Sequence, residues 1–571
     1  MLFTVTFGPW TPDLANVPVQ VAYPVGSQVV PCADCLNVYY ADGTYKSLPN
    51  PTQQTGSLTA APVGIFTGLD QYSNPMIYAG TLTNAYVYTG SGWTSILSGA
   101  DAFQWSFCQF GSSIYATWEW RDSSQLPTLA FTLYTWPVGS TTATQITSTP
   151  AVWANCIATV GQFVMVGDVN LPQQGLFFTG NGVTTTFSGT LTNLPVRQNT
   201  VQVFVNGVFQ GHDDGNGNLL GSGLSSGSIN YDTGAISITF SSAPGNGLLG
   251  GVNYAQAFPS RLRWSAIGNG SSWPTPLTNA ALAAQSGQND LEADLGPVMA
   301  ICGFPLYAII LQKQGLTRAV YQGGNVVFSW GTYDRKRGLV ARKAYVQVGQ
   351  MVYYLSNEGF MSTDGATTTP IGTASDNSAG IDNWFWSNVN KNALAAISAG
   401  FDAAKRCVFF AIPTGSNTLP DTLLSYNPLA GYWTKSTIAS SFVWTDSDGS
   451  RHRLGLFSQN VSGSYYYELL TATASSGYLE TCDIAFTDGN SRITTKARPN
   501  IGCTDTPTVT LGNRNTLQGS VTYSAAVAPD SFGGGFAGVF GQGLYTRARV
   551  TSGAAQAIHG ATLNLEPGGA V

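Results

Sequence analysis

The amino-acid sequence predicts an all-β protein: a β-propeller-like body with an inserted β-sandwich domain and a C-terminal β-sandwich. The chain has 66 glycines in 571 residues, and glycine supplies the positive-φ positions that tight hairpin turns need. Aromatic residues form 12% of the chain and suit pleated, half-buried strand faces. No segment keeps a 3.6-residue apolar period for long. We therefore expect under about a tenth of the residues in α-helices, against the usual third.

Recurring strand and turn units predict the propeller. From about residue 60, short apolar strands alternate with turns, as in residues 351–365 and 407–434. These units return at irregular intervals of roughly 40–60 residues, which is typical of about six to eight propeller blades. A tandem of β-sandwiches is the alternative. We expect Trp264 and Trp433, which follow strand-like or turn segments, to be buried in blades.

Changes in sequence texture suggest the domain borders. Residues 1–174 and 258–476 are predicted to form the two parts of the propeller body. Residues 175–257 contain short strands and hairpin signals such as Asn206-Gly207, which indicate an inserted immunoglobulin-like or lectin-like β-sandwich. Residues 477–571 return to strand alternation and are predicted to form the C-terminal β domain. Short helices are predicted near residues 278–285 and 381–386.

Charge and apolar runs narrow the function classes. The chain has 24 Lys and Arg against 30 Asp and Glu, a formal net charge of −6, whereas a nucleic-acid reader normally carries a basic stripe. The most apolar window, residues 298–311, is shorter than the roughly 20 residues of a membrane span. The first residues lack the features of a signal peptide. We expect a protein without a membrane span, with its eight cysteines as reduced thiols.

Few residues could support chemistry. The three histidines have no second ligand at metal spacing, and the nucleophile-elbow and nucleotide-binding motifs are absent. Asp13, Asp34 and Asp42 could pair with acids elsewhere in the chain, as a glycosidase requires. We expect no enzymatic activity and no cofactor.

One segment imitates the start of a calcium loop. Asp214, Asn216 and Asn218 place oxygen-bearing side chains at alternate positions. The sixth position is Leu219 rather than glycine and the twelfth is Ser225 rather than glutamate. The segment is therefore a weak calcium candidate, and a hairpin tip rich in turn-forming residues is the favoured interpretation.

The densest basic cluster consists of Arg335, Lys336, Arg337, Arg342 and Lys343. We interpret this basic segment as a contact with another subunit or with an adaptor protein. A solvated loop and strand edge is the plain alternative. If all five side chains shared one face, they could instead grip a nucleic-acid backbone.

Several local patterns, in this order, resemble one family. They are residues 7–13 (FGPWTPD), 35–38 (CLNV), 42–49 (DGTYKSLP), 259–268 (PSRLRWSAIG) with 272–273 (SW), 506–522 (TPTVTLGNRNTLQGSVT) and 544–550 (LYTRARV). The sequence resembles the tail hub or nozzle proteins of short-tailed bacteriophages, also called packaged-DNA stabilisation or tail tubular B-like proteins. The resemblance extends over most of the chain but interrupts at residues 175–257.

The resemblance implies a structural virion protein without catalytic residues. It implies a homo-oligomeric ring of about six copies in the phage tail, assembled in the bacterial host cytoplasm. The ring would extend the DNA conduit below the portal and adaptor, help to retain and eject the genome, and contact tail fibre or needle proteins. DNA would pass through without specific binding, because a net negative lumen repels it.

Two other function classes stay open. A propeller-fold glycan depolymerase requires a cluster of acids on one propeller face. A receptor-binding or glycan-binding tail component, with the insert as its lectin, requires an exposed aromatic patch on the insert.

Overall fold

The computed structural model describes residues 1–21, 26–121, 131–373, 380–459, 463–474, 476–529 and 535–568. Strands account for 57% of the residues and helices for 4%, which confirms the predicted all-β class. Within the described residues there are two α-helices, α1 (Asn279–Ala283) and α2 (Asp382–Asn388), where short helices were predicted. Three 3₁₀ turns cover Pro12–Leu14, Ala293–Leu295 and Lys391–Ala396.

The chain starts with six strands. They are β1 (Leu2–Trp10), β2 (Val19–Val21), β3 (Ser27–Leu36), β4 (Val38–Ala41), β5 (Thr44–Ser47) and β6 (Pro49–Gln53).

Blades 1 and 2 follow, each an antiparallel sheet of four consecutive strands. Blade 1 contains β7 (Gly64–Leu69), β8 (Pro75–Gly80), β9 (Asn84–Tyr88) and β10 (Trp93–Ser98). Blade 2 contains β11 (Ala102–Phe110), β12 (Ser113–Trp120), β13 (Tyr134–Pro137) and β14 (Thr144–Gln145).

Blade 3 carries the insert between its second and third strands. In chain order the strands are β15 (Trp153–Val160), β16 (Phe163–Thr179), β17 (Thr186–Thr190), β18 (Gln202–Val205), β19 (Val208–Asp213), β20 (Leu219–Leu220), β21 (Leu224–Ile229), β22 (Ala235–Phe240), β23 (Leu249–Trp264) and β24 (Gly287–Asp290). The blade itself consists of β15, β16, β23 and β24.

Blades 4 to 7 complete the propeller. Blade 4 contains β25 (Val298–Gly303), β26 (Tyr307–Gln312), β27 (Leu316–Tyr321) and β28 (Phe328–Asp334), and blade 5 contains β29 (Tyr345–Val348), β30 (Met351–Ser356), β31 (Gly359–Thr363) and β32 (Thr368–Pro370). Blade 6 contains β33 (Ser398–Asp402), β34 (Cys407–Ile412), β35 (Thr422–Asn427) and β36 (Tyr432–Thr437), and blade 7 contains β37 (Ser440–Ser447), β38 (His452–Gln459) and β39 (Tyr465–Ala474).

The last strands lie C-terminal to the propeller. They are β40 (Gly477–Thr481), β41 (Ile484–Phe486), β42 (Arg492–Cys503), β43 (Thr508–Arg514), β44 (Thr522–Tyr523), β45 (Gly541–Gly543), β46 (Tyr545–Ser552) and β47 (Ala555–Pro567).

The N-terminal strand β6 closes the propeller. It pairs antiparallel with β39 and so becomes the fourth strand of blade 7. Buried Asp446 on blade 7 accepts a hydrogen bond from Thr67 Oγ1 of blade 1 at 2.6 Å, across the same joint. Closing the ring with a strand from the other end of the chain leaves fewer exposed sheet edges.

Apolar blade faces pack against their neighbours in the ring. Trp264 is 6% exposed and Trp433 is fully buried, as predicted. The Trp433 indole donates a hydrogen bond to the Ile371 carbonyl at 2.8 Å, so its one polar group is satisfied.

The N-terminal border of the predicted propeller needs correction. Strands β1 to β5, which the prediction of residues 1–174 placed in the propeller, belong to one 13-stranded sheet with the C-terminal strands. Strand β1 pairs parallel with β3 and antiparallel with β47, where Thr4 lies opposite Thr562. The propeller therefore begins at β6. No local pattern in the first residues reveals a partner strand at the far end of the chain.

The insert is connected to blade 3 by two long strands that run through both units. Strands β16 and β23 pair from Met165 and Trp264 in the blade to Thr179 and Leu249 in the insert. Strands β18, β19 and β20 extend this sheet, and β17, β22 and β21 form a second sheet over a common apolar core. The Asn206-Gly207 turn joins β18 to β19 with positive φ at both residues, as predicted.

Candidate functional site

The basic segment does not form one face. Arg335 is exposed, and its Nη2 lies 2.5 Å from a carboxylate oxygen of Glu292. Arg337 Nε donates to Glu358 at 2.9 Å, and Lys336 is exposed beside it. Arg342 and Lys343 instead lie inside the propeller. The picture of five basic groups on a shared surface is therefore wrong, because the chain turns inward between Arg337 and Arg342.

Arg342 binds a buried carboxylate that the sequence analysis missed. Its Nη2 lies 2.5 Å from Asp168 Oδ2 on β16. Arg197, from the insert, also donates to the Asp168 carboxylate, and Asn155 Nδ2 donates to it at 2.8 Å. Asp168 is fully buried in a β-bulge at φ 58°, a left-handed conformation that aspartate tolerates better than most residues.

One guanidinium thus connects several units of the fold. Arg342 Nε donates to Glu119 of blade 2 at 2.8 Å, and Nη1 donates to the Val298 carbonyl of blade 4 at 2.8 Å. We call Asp168, Arg197, Arg342 and Glu119 the Asp168 cluster. It joins blades 2, 3 and 4, the chain entering blade 5, and the insert.

Within the Asp168 cluster, the pKa values of Asp168 and Arg342 are shifted toward their charged forms. Burial alone would raise the pKa of Asp168, but the positive charges of Arg197 and Arg342 outweigh it and hold this pKa below its ordinary value. Burial would likewise lower the pKa of Arg342, yet Glu119 and Asp168 raise it. A sequence signal existed for this site, because Asp168 stands alone in the apolar run of residues 163–169.

Lys343 faces the axial cavity of the propeller. The first strands of all seven blades line this cavity, which has a volume of about 420 Å³. Lys343 is the only charged side chain among the lining residues described. Desolvation, helped by the charge of Arg342, lowers the pKa of its amine to about 8.

A second buried ion cluster lies in the 13-stranded sheet. We call Glu480, Asp483, Arg514, Arg547 and Arg549 the Glu480 cluster. Arg547 Nη2 lies 2.9 Å from Asp483 and its Nη1 lies 3.2 Å from Glu480. Arg549 Nε donates to Glu480 at 2.6 Å, and Arg514 donates to Asp483. The carboxylates of Glu480 and Asp483 are both buried, and arginine side chains from neighbouring strands bind their oxygens.

The calcium candidate forms a turn between β19 and β20. One Asp214 oxygen accepts from the backbone N–H of Asn216 at 2.8 Å and of Asn218 at 3.1 Å. The other accepts from Asn218 Nδ2 at 2.7 Å, and this hydrogen bond is the main reason that the pKa of Asp214 is lowered. Asn218 thus presents a donor where a cation needs oxygen. Across the described ranges, no three His, Cys, Asp or Glu residues are grouped to hold a metal.

The three acids considered for a glycosidase-like pair are separately engaged. Asp13 accepts from the backbone N–H groups of Asn383 and Trp384 at the start of α2. Asp34 lies 2.6 Å from Lys435 Nζ, and Asp42 lies 2.8 Å from Lys46 Nζ. Each carboxylate therefore has a local structural partner. Of the three, Asp13 also lies near an acid elsewhere in the chain, Asp382, whose pKa is raised to about 6 mainly by burial and in part by the charge of Asp13.

The cysteines are all described and all carry free thiols. Cys32 and Cys35 are buried on β3, and burial raises the pKa of the Cys35 thiol. Within the described segments, no helix is both long and apolar enough to cross a bilayer.

Comparisons with known proteins find only distant similarity to solved structures. No protein-family model and no curated protein matches the chain. The AfRom2 CNH domain is 6% identical over 74% of this chain and 99% of its own, with a TM-score of 0.31. AztD from Citrobacter koseri is 9% identical over 66% and 86%, with a TM-score of 0.27. An exo-β-1,3-galactanase from Phanerochaete chrysosporium is 9% identical over 90% and 100%, with a TM-score of 0.25. Similarity this low carries no argument about activity.

Proposed function

We propose that the protein is a structural virion component, a ring-forming tail hub or nozzle of a short-tailed phage. In this role it extends the DNA conduit below the portal and adaptor and helps to retain and eject the genome. The ordered motifs from residue 7 to residue 550 support the proposal by resemblance. The use of buried charge in the structure supports it independently.

The observation that carries the proposal is that the buried carboxylates form ion pairs with arginine side chains. Asp168, Glu480 and Asp483 are essentially inaccessible to solvent, and each binds at least two arginines. A catalytic acid needs an oxygen that can reach the substrate. These carboxylates instead fix strands and blades in place, which suits a protein that acts as a rigid part of an assembly.

The surface charge fits a conduit that lets DNA slide. The formal net charge is −6, and the exposed Arg335 and the half-buried Arg337 are paired with acids, so they offer little free positive charge to phosphates. The axial cavity of about 420 Å³ has the size of a small-molecule site rather than of a duplex. The conduit would therefore run between the subunits of a ring.

Three of the five basic residues remain candidates for a contact with a neighbouring protein. Arg335, Lys336 and Arg337 are at the surface and stay the candidate contact with another subunit or the adaptor. Arg342 and Lys343 leave this proposed contact because they lie inside the propeller.

Negative-stain imaging of the purified chain tests the proposal. The expected particles are rings of about six copies with a central hole. The double variant Arg335→Glu, Lys336→Glu should lose rings or adaptor binding, whereas Arg451→Glu, an exposed residue at a turn of blade 7, should not. Single particles of one subunit at every concentration, with and without adaptor, would refute the hub role.

A further inference from the structure

The outer face of the insert carries a surface to which no role has been given. Strands β16, β23, β18 and β19 lie side by side in one sheet. Directly opposed residues of antiparallel strands point to the same face. The pairs Gln174–Asn253, Asn253–Gln202 and Gln202–His212 therefore form one polar row across four strands, in which Gln174 is exposed, Asn253 and His212 are half-buried and Gln202 is buried.

Beside this polar row runs an aromatic row. Phe177 is 75% exposed, and its ring lies over Gly251, where an added Cβ would come within 3.1 Å of the ring. Phe204 lies opposite Gly251, and its ring centroid is 6.0 Å from that of Phe209. Phe177 is exposed while Phe204 and Phe209 are half-buried, and a contiguous apolar strip at a surface marks a site that another molecule covers.

The polar row leads into a cavity between the insert and blades 2 and 3. The cavity measures about 530 Å³, which is within the range of ligand sites. Trp120, Phe131 and Trp153 form an aromatic cluster in its wall, with Phe131 4.7 Å and 4.6 Å from the two tryptophan rings. The amide side chains of Gln173, Gln174, Gln202 and Asn253 also line the cavity.

The chemistry of this surface indicates the class of ligand. The residues that line the cavity include no Asp, Glu, Lys or Arg, so a charged group would find no partner there. An amide side chain offers both donors and an acceptor, as a sugar hydroxyl does. Among the described residues, the Asn253 and Gln174 side chains have no hydrogen-bond partner in the protein. Aromatic faces bind the apolar C–H face of a sugar ring.

We propose that this face of the insert binds a neutral oligosaccharide, which lies along the polar and aromatic rows with one end in the cavity. The inference goes beyond the hub role and does not depend on it. It assigns residues to recognition of a neutral glycan, and a hub without this site would still form rings.

The experiment uses the full chain and a glycan array. The probes are neutral hexasaccharides of glucose, galactose, mannose and N-acetylglucosamine, with sulfated hexasaccharides beside them, and the strongest binder is titrated by calorimetry. We expect a neutral hexasaccharide to bind, and Phe177→Ala and Asn253→Ala each to weaken it at least about tenfold. Phe540→Ala, which removes a phenylalanine 64% exposed in the C-terminal region, should leave the affinity unchanged.

Three results would overturn the proposal. They are no binding of any neutral hexasaccharide at about 1 mM, preference for the sulfated probes, or equal affinity in Phe177→Ala and the unaltered chain. The melting temperature of each variant shows that it is folded. Because Phe177 is exposed, Phe177→Ala alone keeps the test valid if Asn253→Ala does not fold.

Discussion

The Asp168 cluster and the Glu480 cluster are both buried networks of carboxylates and arginines, but they connect different things. In the Asp168 cluster, the partners come from separate units: Glu119 from blade 2, Arg197 from the insert and Arg342 from the chain before blade 5. In the Glu480 cluster, Glu480 and Arg549 lie directly opposite each other on the neighbouring strands β40 and β46. The first cluster holds units together, whereas the second reinforces a single sheet.

This difference predicts how much stability the protein loses when one member of each cluster is replaced. A buried ion pair that loses one partner leaves an uncompensated charge, and the cost depends on what else can move to neutralise it. Neighbouring strands of the Glu480 cluster supply three arginines for two carboxylates. Without the charge of Asp168, Glu119 still pairs with Arg342, but Arg197 has no other carboxylate partner among the described residues.

The largest expected effect is that of Asp168→Asn. Asparagine keeps the shape of the side chain and tolerates the positive φ, so the substitution removes mainly the charge. We expect the free energy of unfolding to fall by about 3–5 kcal/mol at pH 7, measured by urea denaturation. Asp290→Asn, at an exposed pair with Arg261, should change it by at most about 0.5 kcal/mol.

The pH dependence of the stability loss tests whether the missing charge of Asp168 is its cause. The pKa of Asp168 is lower in the folded protein than in the unfolded chain, so its stabilisation is present above about pH 4 and is lost as the pH falls further. The difference between the unaltered chain and Asp168→Asn should therefore shrink below about pH 4. A difference independent of pH would show that packing, not charge, is responsible.

A smaller loss is expected for Arg549→Met in the Glu480 cluster. Glu480 would lose a 2.6 Å hydrogen bond but keep Arg547 at 3.2 Å. We expect the free energy of unfolding to fall by about 2 kcal/mol, in the same urea experiment. A loss as large as that of Asp168→Asn would remove the distinction between the two clusters.

Lys343→Met is expected to act in the opposite direction. The folded pKa of Lys343, about 8, is below the ordinary value near 10.4, so the charged amine destabilises the fold below pH 8 and this cost fades as the pH rises toward 10. Methionine should raise the free energy of unfolding by about 1–2 kcal/mol at pH 7 and by less at pH 9.5. Lys391→Met, at an exposed site, should have no effect, and a loss of stability in Lys343→Met would contradict this interpretation.

Removing the insert should have the smallest effect on the propeller. Gly175 and Val252 are paired, so an Asn-Gly turn replacing residues 176–251 closes β16 and β23 into a hairpin. We expect the shortened chain to form a folded propeller. Arg197→Met removes the ion-pair partner that the insert supplies to Asp168, and it should lower the free energy of unfolding by about 1 kcal/mol. The melting temperature of the shortened chain should fall by about as much as that of Arg197→Met. Circular dichroism and melting measure both, and an insoluble shortened chain would show that the insert is part of the core.

Local sequence features predicted the fold class but not the long-range pairings. Glycine-rich turns, aromatic strands and the Asn206-Gly207 hairpin depend on nearby residues, and these predictions agree with the structure. The pairing of Thr4 with Thr562 depends on the whole intervening chain, so a single sequence gives no sign of it. The N-terminal strands were therefore assigned to the wrong unit.

The ion clusters show the same limit. A lone Asp168 in an apolar run indicates a buried carboxylate, and Arg547 and Arg549 at alternate positions of a strand indicate one charged face. Neither pattern indicates which residue is the ion-pair partner. Arg342 and Lys343 looked like part of an exposed basic cluster because the sequence does not show that the chain turns inward after Arg337.

The most direct test of the conduit role is filter binding of assembled rings to duplex DNA across a salt series. Because Arg335 and Arg337 are paired with acids and Arg342 is buried, the proposed role predicts no submicromolar affinity at physiological salt. Submicromolar binding that falls steeply with added salt, and that is lost when Arg335, Lys336 and Arg337 become alanine, would show that the ring clamps DNA and would contradict a freely sliding conduit.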